Sequence, residues 1–375
     1  MRVLHIHSGN LYGGVETFLL TLAQSRRLAP SMEMSAAICF DDRIAAELRR
    51  EGVATSILGP VRLRRPDSVW RVRQALSRLL AADHFDVAVC HQAWPHAIFG
   101  SVVKAAGLPL VSWMHMAPAG HWIDRLASRV EPDLIVCNSR FTASLLSPTS
   151  ARVEVAYAPV AAVRQVSHAR ARSSQIRQEL NTPANNVVMI QVSRMEAMKG
   201  QMVLLEALAR LGDGPSWTCW LIGGAQRPFE QRYLDSLRDA AERLGISACV
   251  RFVGERADVS DLLSASDIYC QPNLAPEGFG LTFVEAMAIG LPVVTTGIGG
   301  ALEIVDDSCG VLVPRGDATG MSASVGAALS RLISDRRERE RLGEGGRARA
   351  RALCDPATQM RSIAELLENV GAIPC

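Results

Sequence analysis

Short apolar runs alternate with longer segments of helical periodicity along all 375 residues of the chain. The runs lack strict apolar–polar alternation, which is typical of parallel strands covered on both faces. The pattern predicts strands at 3–7, 35–40, 86–90, 109–114, 133–137, 153–157, 187–193, 217–223, 250–254, 268–272, 292–296 and 310–314. It predicts helices that include 15–28, 67–82, 201–211, 230–244 and 282–289. Strands that alternate with helices indicate βαβ units, and therefore an α/β fold with two doubly wound sheets.

A polar stretch rich in Ala, Arg and Ser, residues 161–185, separates the two sets of strands. We therefore predict an N-terminal Rossmann-like domain over 1–165 and a second one over 166–355. Residues 356–375 are expected to form a closing helix that packs back on the first domain. Because ligands bind at the carboxyl ends of parallel strands, we expect the two domains to face each other across a ligand cleft.

Composition excludes several classes of protein. A hydrophobic fraction of 48% argues against disorder, and a net charge of +2 argues against a strongly basic nucleic-acid binder. The nine cysteines are scattered without a CxxC pair, which fits neither a disulfide framework nor a zinc site. The chain has no apolar window long enough to span a membrane, and its first residues do not form a signal peptide. We therefore expect a cytoplasmic protein that binds no nucleic acid.

The first candidate site is the turn SGNLYGGVET, which follows the strand at 3–7. Gly13 and Gly14 stand at the start of a helix, where bare backbone N–H groups and the positive helix end suit an anion. The turn lacks the GxGxxG pattern, so dinucleotide binding is disfavoured. The alternative is a tight turn that needs glycine for its positive φ.

The second candidate site is SRMEAMKG, which follows the strand at 187–193. Arg194 and Lys199 stand on either side of a strand-to-helix turn and could converge on a diphosphate, because arginine bridges two oxygens and lysine acts as a point charge. Lys199 is also one of only two lysines, with Lys104, among 40 basic residues. The alternative is a pair of solvated surface charges.

The third candidate site is EGFGLTFVEAMAIGLPVV, which begins at Glu277. Gly280 allows a close backbone approach to a ligand, and the helix expected from Thr282 would point its first N–H groups at the same place. Glu285 has a structural alternative, because Thr282 and Glu285 have the spacing of a capping box.

This string, with SRMEAMKG upstream, resembles the family-four retaining glycosyltransferases, glycosyl transferases group 1. The segments GGVET, VCNSRFTASLL, VRFVG, IGGALEIV and GVLVPRGD follow in the order of that family. The resemblance implies the GT-B fold, in which the C-terminal domain holds a nucleotide diphosphate-sugar. It implies no metal ion and no other cofactor, and the sequence has no DxD motif.

The resemblance also implies roles for the C-terminal residues. Arg194 and Lys199 match the pair that holds the diphosphate and stabilises its charge as it leaves. Glu277 matches the glutamate at the donor sugar hydroxyls, and Glu285 matches the one at the ribose hydroxyls. The remaining donor-binding positions are Phe279, Gly280, Leu281 and Thr282.

Two matches lie in the N-terminal domain. Gly14, with Gly13 before it, corresponds to the glycine that faces the donor phosphate. His115 corresponds to a histidine near the reacting carbon, so that the expected catalytic set is Arg194, Lys199, Glu277 and His115.

Seven of the eight histidines and four of the six tryptophans lie before residue 123, several of them on loops that follow predicted strands. Trp94 and Trp122 could stack on an acceptor sugar, with His91, His96 and His121 as hydrogen-bonding partners. The alternative is ordinary packing of the loops on the core. Zinc is disfavoured, because the histidines come from separate loops.

Residues 62–82 predict a basic amphipathic helix, with an apolar stripe of Val69, Val72, Leu76, Leu79 and Leu80. The first 160 residues carry 17 basic and 13 acidic residues, which adds a basic surplus to this half. Such a helix suits weak peripheral contact with an anionic inner membrane face. The alternative is a helix that packs its stripe on the sheet and solvates its arginines.

The sequence thus predicts a retaining, metal-independent glycosyltransferase that moves a sugar from a nucleotide diphosphate donor to a carbohydrate or lipid-linked glycan acceptor, as in polysaccharide biosynthesis. The alternatives are an enzyme that tailors a small natural product, a nucleotide-sugar epimerase of the same fold, and a nucleotide-sugar-binding protein without catalysis.

Overall fold

The computed structural model describes residues 1–9, 12–118, 120–160, 166–211 and 216–371, the side chains of 166–171 and 371 excepted. The chain forms two compact units, Met1–Pro159 with Cys354–Cys375, and Val160–Leu353. Each unit is built on one parallel sheet. The predicted pair of doubly wound α/β domains is therefore confirmed.

The first unit has a sheet whose described strands run in the order β3-β2-β1-β4-β5-β6-β7. All pairings are parallel. The strands are β1 (Arg2–His7), β2 (Glu33–Ile38), β3 (Ala54–Ile57), β4 (Val87–His91), β5 (Leu110–Met114), β6 (Leu134–Cys137) and β7 (Arg152–Val155). Strand order reverses between β1 and β4, which is where doubly wound sheets bind ligands.

The second unit has a smaller sheet whose described strands run in the order β10-β9-β8-β11-β12-β13, again all parallel. The strands are β8 (Val187–Val192), β9 (Trp217–Ile222), β10 (Val250–Gly254), β11 (Ile268–Gln271), β12 (Val293–Thr296) and β13 (Gly310–Val313). Here the order reverses between β8 and β11.

Helices flank both sheets. Those of the first unit are α1 (Gly14–Ser25), α2 (Arg43–Arg50), α3 (Pro66–Ala82), α4 (Ala93–Ala105), α5 (Trp122–Ala127), α6 (Arg140–Ser144) and the closing α15 (Pro356–Gly371). Those of the second unit are α7 (Val166–Glu179), α8 (Gln201–Leu208), α9 (Pro228–Arg243), α10 (Val259–Ser264), α11 (Leu281–Ile289), α12 (Ala301–Ile304), α13 (Ala318–Ser334) and α14 (Arg336–Cys354). Three 3-10 turns, Arg26–Leu28, Ala197–Lys199 and Ser247–Cys249, complete the described helices.

The sequence pattern missed one strand and lengthened one helix. β3 is an edge strand with the sequence ATSI and no fully buried residue, so it carries no apolar run. The helix expected over 15–28 is α1 followed by a 3-10 turn at Arg26–Leu28. Neither β3 nor the turn Arg26–Leu28 has a fully buried residue, so the hydrophobic pattern of both segments is weak.

The closing helix α15 packs against α1, β4 and the 3-10 turn Arg26–Leu28 of the first unit. Its Met360, Ile363 and Leu367 are fully buried. In α3, Val72 and Leu76 are likewise buried in the core of that unit. Within the described part of the chain, no helix combines the length and the apolar character needed to cross a membrane.

Candidate functional site

Three of the predicted donor-binding side chains follow the two central strands of the second sheet. Arg194 and Lys199 come after β8, and Glu277 comes after β11. β8 and β11 are neighbours at the point where the strand order reverses. The chain leaves these two strands toward opposite sides, which opens a crevice at their carboxyl ends. The topology thus brings the three side chains to one edge of the second unit.

Lys199 and Glu277 form an ion pair at the centre of this edge. The Lys199 ammonium lies 2.9 Å from Oε1 of Glu277, and both side chains are mostly buried. The other carboxylate oxygen, Oε2, accepts hydrogen bonds from the side-chain amides of Gln271 at 3.0 Å and Asn273 at 2.9 Å. Glu277 is therefore held at both oxygens, so its orientation is fixed before any ligand arrives.

Two buried glutamines hold the loop that carries the cations. The side-chain amide of Gln191 donates to the carbonyl of Lys199 at 2.8 Å, and that of Gln201 donates to the carbonyl of Arg194 at 2.8 Å. Gly200 lies between them with φ +74°, and a Cβ there would stand 1.9 Å from the carbonyl oxygen of Pro272. Sequence reasoning missed Gln191 and Gln201, although a glutamine inside the apolar run 187–193 was a visible signal.

Arg194 is held by two carboxylates at one of its nitrogens. Its Nη1 lies 2.9 Å from Oε1 of Glu196 and 3.5 Å from Oε1 of Glu230. Glu230 is fully buried, and its Oε2 accepts from the backbone N–H of Gln226 at 2.7 Å. Because both ion pairs use Nη1, the guanidinium keeps a fixed direction that suits two-point binding of a phosphate through its other nitrogens.

The helix α11 begins two residues earlier than the capping-box alternative requires, and that alternative is wrong. The residue before the helix is Gly280, at φ +96°, and no side chain caps this end. Thr282 lies inside the first turn, with its Oγ1 2.9 Å from the hydroxyl of Tyr269. A Cβ at Gly280 would lie 2.4 Å from the ring of Phe283, so glycine is required both by φ and by space.

Glu285 is partly buried and has no hydrogen bond or ion pair with any described residue. Burial raises the pKa of its carboxyl from 4.5 to about 7. A carboxylate in this state gains from a partner that donates hydrogen bonds, because burial has removed its water without supplying a substitute. Neighbouring Phe279 is buried, while Leu281 and Thr282 are only partly covered.

Backbone strain does not explain the glycines at Gly13 and Gly14 of the first unit. Gly13 is extended at φ −167° and Gly14 begins α1, so the tight-turn alternative is wrong. No described atom lies within 4 Å of the position of a Cβ on Gly14. The N–H of Gly13 donates to Oε2 of Glu16 at 2.9 Å, and Oε1 of Glu16 lies 2.6 Å from Nε2 of His7. Glu16 and His7 thus fix this turn, and sequence reasoning did not name them.

His115 follows β5 and is only partly buried. Its Nε2 lies 2.9 Å from Nδ1 of His91, and the rings of Phe18 and Trp113 contact it. Burial lowers the pKa of His115 to about 3, so its ring is neutral at physiological pH. His91 itself is fully buried with both ring nitrogens engaged, which removes it from the candidates for acceptor binding.

The four acceptor candidates separate into two pairs. Trp94 packs against the core of the first unit, and buried His96 lies 2.7 Å from the carbonyl of Val130 through its Nε2. This pair therefore has the packing role that the sequence left as the alternative. His121 and Trp122 are exposed at the start of α5, and Trp122 keeps 60% of its surface.

Trp122 lines an apolar groove of about 370 Å³ in the first unit. The groove is formed by Leu63, Pro66, Val69, Trp70, Arg73, Trp122 and Leu126. Most of the stripe predicted on 62–82 faces inward, because Val72 and Leu76 are core residues and Leu79 and Leu80 pack against them, whereas partly buried Val69 also lines the groove. The outward apolar surface of α3 is instead Trp70, which is 61% exposed.

Comparison with known families gives two matches that divide the chain in the same way as the structure. Residues 172–349 match the model of glycosyl transferases group 1, and residues 12–163 match that of glycosyltransferase family 4.

Two of the curated relatives, both glycosyltransferases, show the extent of the similarity. The chain is 28% identical over 360 residues to a lipopolysaccharide core biosynthesis glycosyltransferase of Rhizobium meliloti, covering 92% of this chain and 93% of the relative. It is 30% identical over 324 residues to the D-inositol 3-phosphate glycosyltransferase of Salinispora arenicola, covering 78% of this chain and 69% of that one.

Solved structures include HepE from Anabaena in complex with UDP and glucose. This structure has a TM-score of 0.83 and 26% identity, and the match covers 98% of this chain and 99% of that one. The same protein is matched in complex with UDP-glucose, also with a TM-score of 0.83. WaaG, a glycosyltransferase of lipopolysaccharide biosynthesis, shares the fold with a TM-score of 0.72 at 17% identity.

Proposed function

The chain belongs to the group 1 glycosyltransferase family, with the GT-B fold, and on that premise we propose that it transfers a sugar from a uridine diphosphate-sugar to a glycan acceptor. The observation that carries the proposal is the pair Arg194 and Lys199, held in fixed directions, with Lys199 bound to Glu277 in the loop that leads to the uncapped start of α11. The base is proposed as uracil because the Anabaena relative is described with UDP and with UDP-glucose. Cations and N–H groups in one place suit a leaving diphosphate.

We propose the following roles for the second unit. Arg194 and Lys199 bind the diphosphate and stabilise the negative charge that it gains. Glu285, with no protein partner among the described residues, accepts hydrogen bonds from the ribose hydroxyls. Glu277 accepts hydrogen bonds from the sugar hydroxyls while it keeps those from Gln271 and Asn273.

The proposed reaction proceeds with retention and without a metal ion. The acceptor oxygen forms a bond to the anomeric carbon as the bond from that carbon to the phosphate oxygen breaks. The proton of the acceptor hydroxyl passes to a phosphate oxygen, and the nucleoside diphosphate leaves. No protein nucleophile is needed in this scheme.

The donor is tested by thermal shift with UDP, GDP and ADP, followed by assay of nucleotide release from the matching sugars. A ligand at one hundred times its Kd stabilises a protein by about 2.7 kcal/mol, so UDP is expected to raise the melting temperature by several degrees. Greater stabilisation by GDP or ADP would exclude the uridine donor. Unchanged turnover in EDTA, and an anomeric coupling in the product equal to that of the donor, are the expected signs of a metal-free, retaining reaction.

The apolar groove of the first unit favours a lipid-linked acceptor over a free sugar. Trp70 and Trp122 expose most of their surface in it, and exposed arginines Arg62, Arg64 and Arg65 lie just before α3. An apolar slot beside cations suits an acyl or prenyl chain attached to an anionic group. The lipopolysaccharide enzyme among the relatives also supports the proposal of a lipid-linked acceptor.

Sedimentation with vesicles tests this acceptor class. The protein is expected to bind anionic vesicles at low salt, and Trp70→Ser with Trp122→Ser to weaken that binding. Phe229→Ser, which removes an exposed aromatic ring from the second unit, serves as the control. Equal transfer to an acceptor with and without its lipid would reject the role of the groove. The epimerase alternative is tested separately, because an epimerase would release a new sugar with no acceptor present.

A further inference from the structure

Three histidines of the first unit form a continuous row of hydrogen-bonded rings. His5 on β1 lies with its Nδ1 2.9 Å from Nε2 of His91 at the end of β4. Nδ1 of His91 lies 2.9 Å from Nε2 of His115, which follows β5. β1, β4 and β5 are adjacent strands, so the row crosses the sheet at its carboxyl ends. We call His5, His91 and His115 the imidazole row.

The rings of the row are neutral. His5 and His91 are fully buried. Burial lowers the pKa of His5 to about 4 and that of His115 to about 3, and repulsion among the histidines adds to burial in lowering the pKa of His91. A neutral imidazole has one N–H donor and one lone pair, so each ring adopts one of two tautomers.

The buried end of the row selects the direction of its hydrogen bonds. Nε2 of His5 is buried and has no hydrogen-bond partner among the described residues. A buried N–H without a partner is rarer than a buried acceptor without one, so this atom is the lone pair. His5 then donates from Nδ1 to His91, and His91 donates from Nδ1 to His115. The proton of His115 is therefore left on Nδ1.

The backbone of His115 is held as firmly as its ring. The side-chain oxygen of Gln92 accepts from the N–H groups of His115 at 3.3 Å and Met116 at 3.1 Å. The amide of Asn138 donates to the carbonyl of His115 at 2.7 Å, and the ring of Phe18 packs edge-on at 4.9 Å. Gln92 has φ +79°, a strained conformation that a non-glycine residue rarely adopts.

We propose that His5 and His91 are positioning residues that fix His115 as a neutral Nδ1–H donor to a hydroxyl oxygen of a sugar substrate. This inference rests on the proposed function, because His115 follows β5 at the carboxyl ends of the first sheet, where doubly wound sheets bind ligands. A neutral ring held in one tautomer orients the sugar with a hydrogen bond and transfers no proton. With the Nε2–H tautomer the ring would present a lone pair, and the sugar hydroxyl would have to donate a hydrogen bond where it now accepts one.

Variants of His91 separate positioning from folding. His91→Asn keeps an N–H donor near the place of Nδ1, whereas His91→Phe keeps a ring without one. His96→Gln, at a buried histidine outside the row, is the control. The protonated nitrogen of His115 is read from ¹⁵N chemical shifts of histidine-labelled protein, and kcat/KM for donor and the Kd for UDP are measured alongside.

The expected tautomer of His115 is Nδ1–H in the native protein, in His91→Asn and in the control, and it changes in His91→Phe. Loss of one oriented hydrogen bond lowers kcat/KM about 10-fold to 100-fold in His91→Phe. The Kd for UDP stays within about twofold, because the row does not bind the diphosphate, and His91→Asn recovers most of kcat/KM.

An Nε2–H tautomer of His115 in the native protein overturns the inference, as does equal loss of activity in His91→Asn and His91→Phe. Neither result affects the proposed transferase. A native protein with the expected tautomer but without sugar transfer from any donor removes the proposed function and the role of His115 with it.

Discussion

The ammonium of Lys199 lies 2.9 Å from Oε1 of Glu277, and this ion pair joins the loop after β8 to the loop after β11. Since Gln271 and Asn273 hold the other oxygen of Glu277, the pair is a rigid unit rather than two flexible surface charges. In the proposed reaction, a diphosphate and a sugar approach the two members from the same side. The pair thus links charge stabilisation to sugar recognition.

Replacement of Lys199 is expected to slow the reaction more than it weakens the fold. In Lys199→Ala, Gln271 and Asn273 still hold Oε2 of Glu277, while the leaving diphosphate loses a positive charge. We expect kcat to fall about 10²-fold to 10³-fold, measured as nucleotide release.

The second lysine of the chain supplies the matched control. Lys104 lies in the first unit and pairs with Asp133 at 2.6 Å on the surface. Lys104→Ala is expected to keep native turnover. Activity near the native level in Lys199→Ala would remove this residue from the diphosphate site.

The guanidinium shape of Arg194 is expected to matter as much as its charge. Arg194→Lys keeps a cation near Glu196 and Glu230 but cannot bridge two phosphate oxygens. We expect kcat/KM for donor to fall about 10-fold to 100-fold, with a smaller change in melting temperature. Arg336→Lys, at an exposed ion pair with Glu340, is the control and should match the native protein.

The ionised carboxylate of Glu285 is expected to lower the stability of the folded protein. The pKa of its carboxyl is raised from 4.5 to about 7, so the folded protein holds the proton more tightly than the unfolded chain does. Stability therefore falls as pH rises from about 4.5 to 7, and the cost persists above that range. The free energy of unfolding of Glu285→Gln should exceed that of the native protein by about 1–3 kcal/mol at pH 8 and should equal it at pH 4.

The same substitution should weaken nucleotide binding. Glutamine accepts hydrogen bonds less strongly than a carboxylate, so we expect the Kd for UDP at pH 8 to rise about 10-fold. Calorimetric titration at pH 8 and pH 5.5 should show this difference shrink at the lower pH, where native Glu285 is protonated. If Glu285→Gln is more stable but binds UDP with native affinity, Glu285 does not bind the ribose.

Gly14 offers a test of space reserved for a ligand. A Cβ on Gly14 meets no described atom within 4 Å, so Gly14→Ala should leave stability unchanged or raise it by up to about 1 kcal/mol. If the donor phosphate approaches this turn, the methyl group should raise KM for donor. Gly316→Ala, at a position with equally open surroundings, is the control, and native KM in Gly14→Ala would leave this glycine without a role in donor binding.

The sequence by itself determined the fold class and singled out the candidate donor-binding residues of the second unit. Parallel strands buried on both faces leave uninterrupted apolar runs, and the ligand-facing residues follow those runs in short strings. Arg194 with Lys199, and Glu277 with Glu285, could therefore be read locally. The sequence also offered Gln191 as a polar residue inside a buried strand, but its partner could not be named.

Only the tertiary structure decided which residues hold the site. Glu277 meets Lys199 across 78 positions, and His5 meets His91 across 86, because parallel strands bring together segments that are far apart in the chain. It also placed Trp94 in the packing of the core and left Trp122 exposed, although both were aromatic residues in loops. Periodicity reports which face of an element is apolar, whereas the neighbour that covers this face is set by how the whole chain packs.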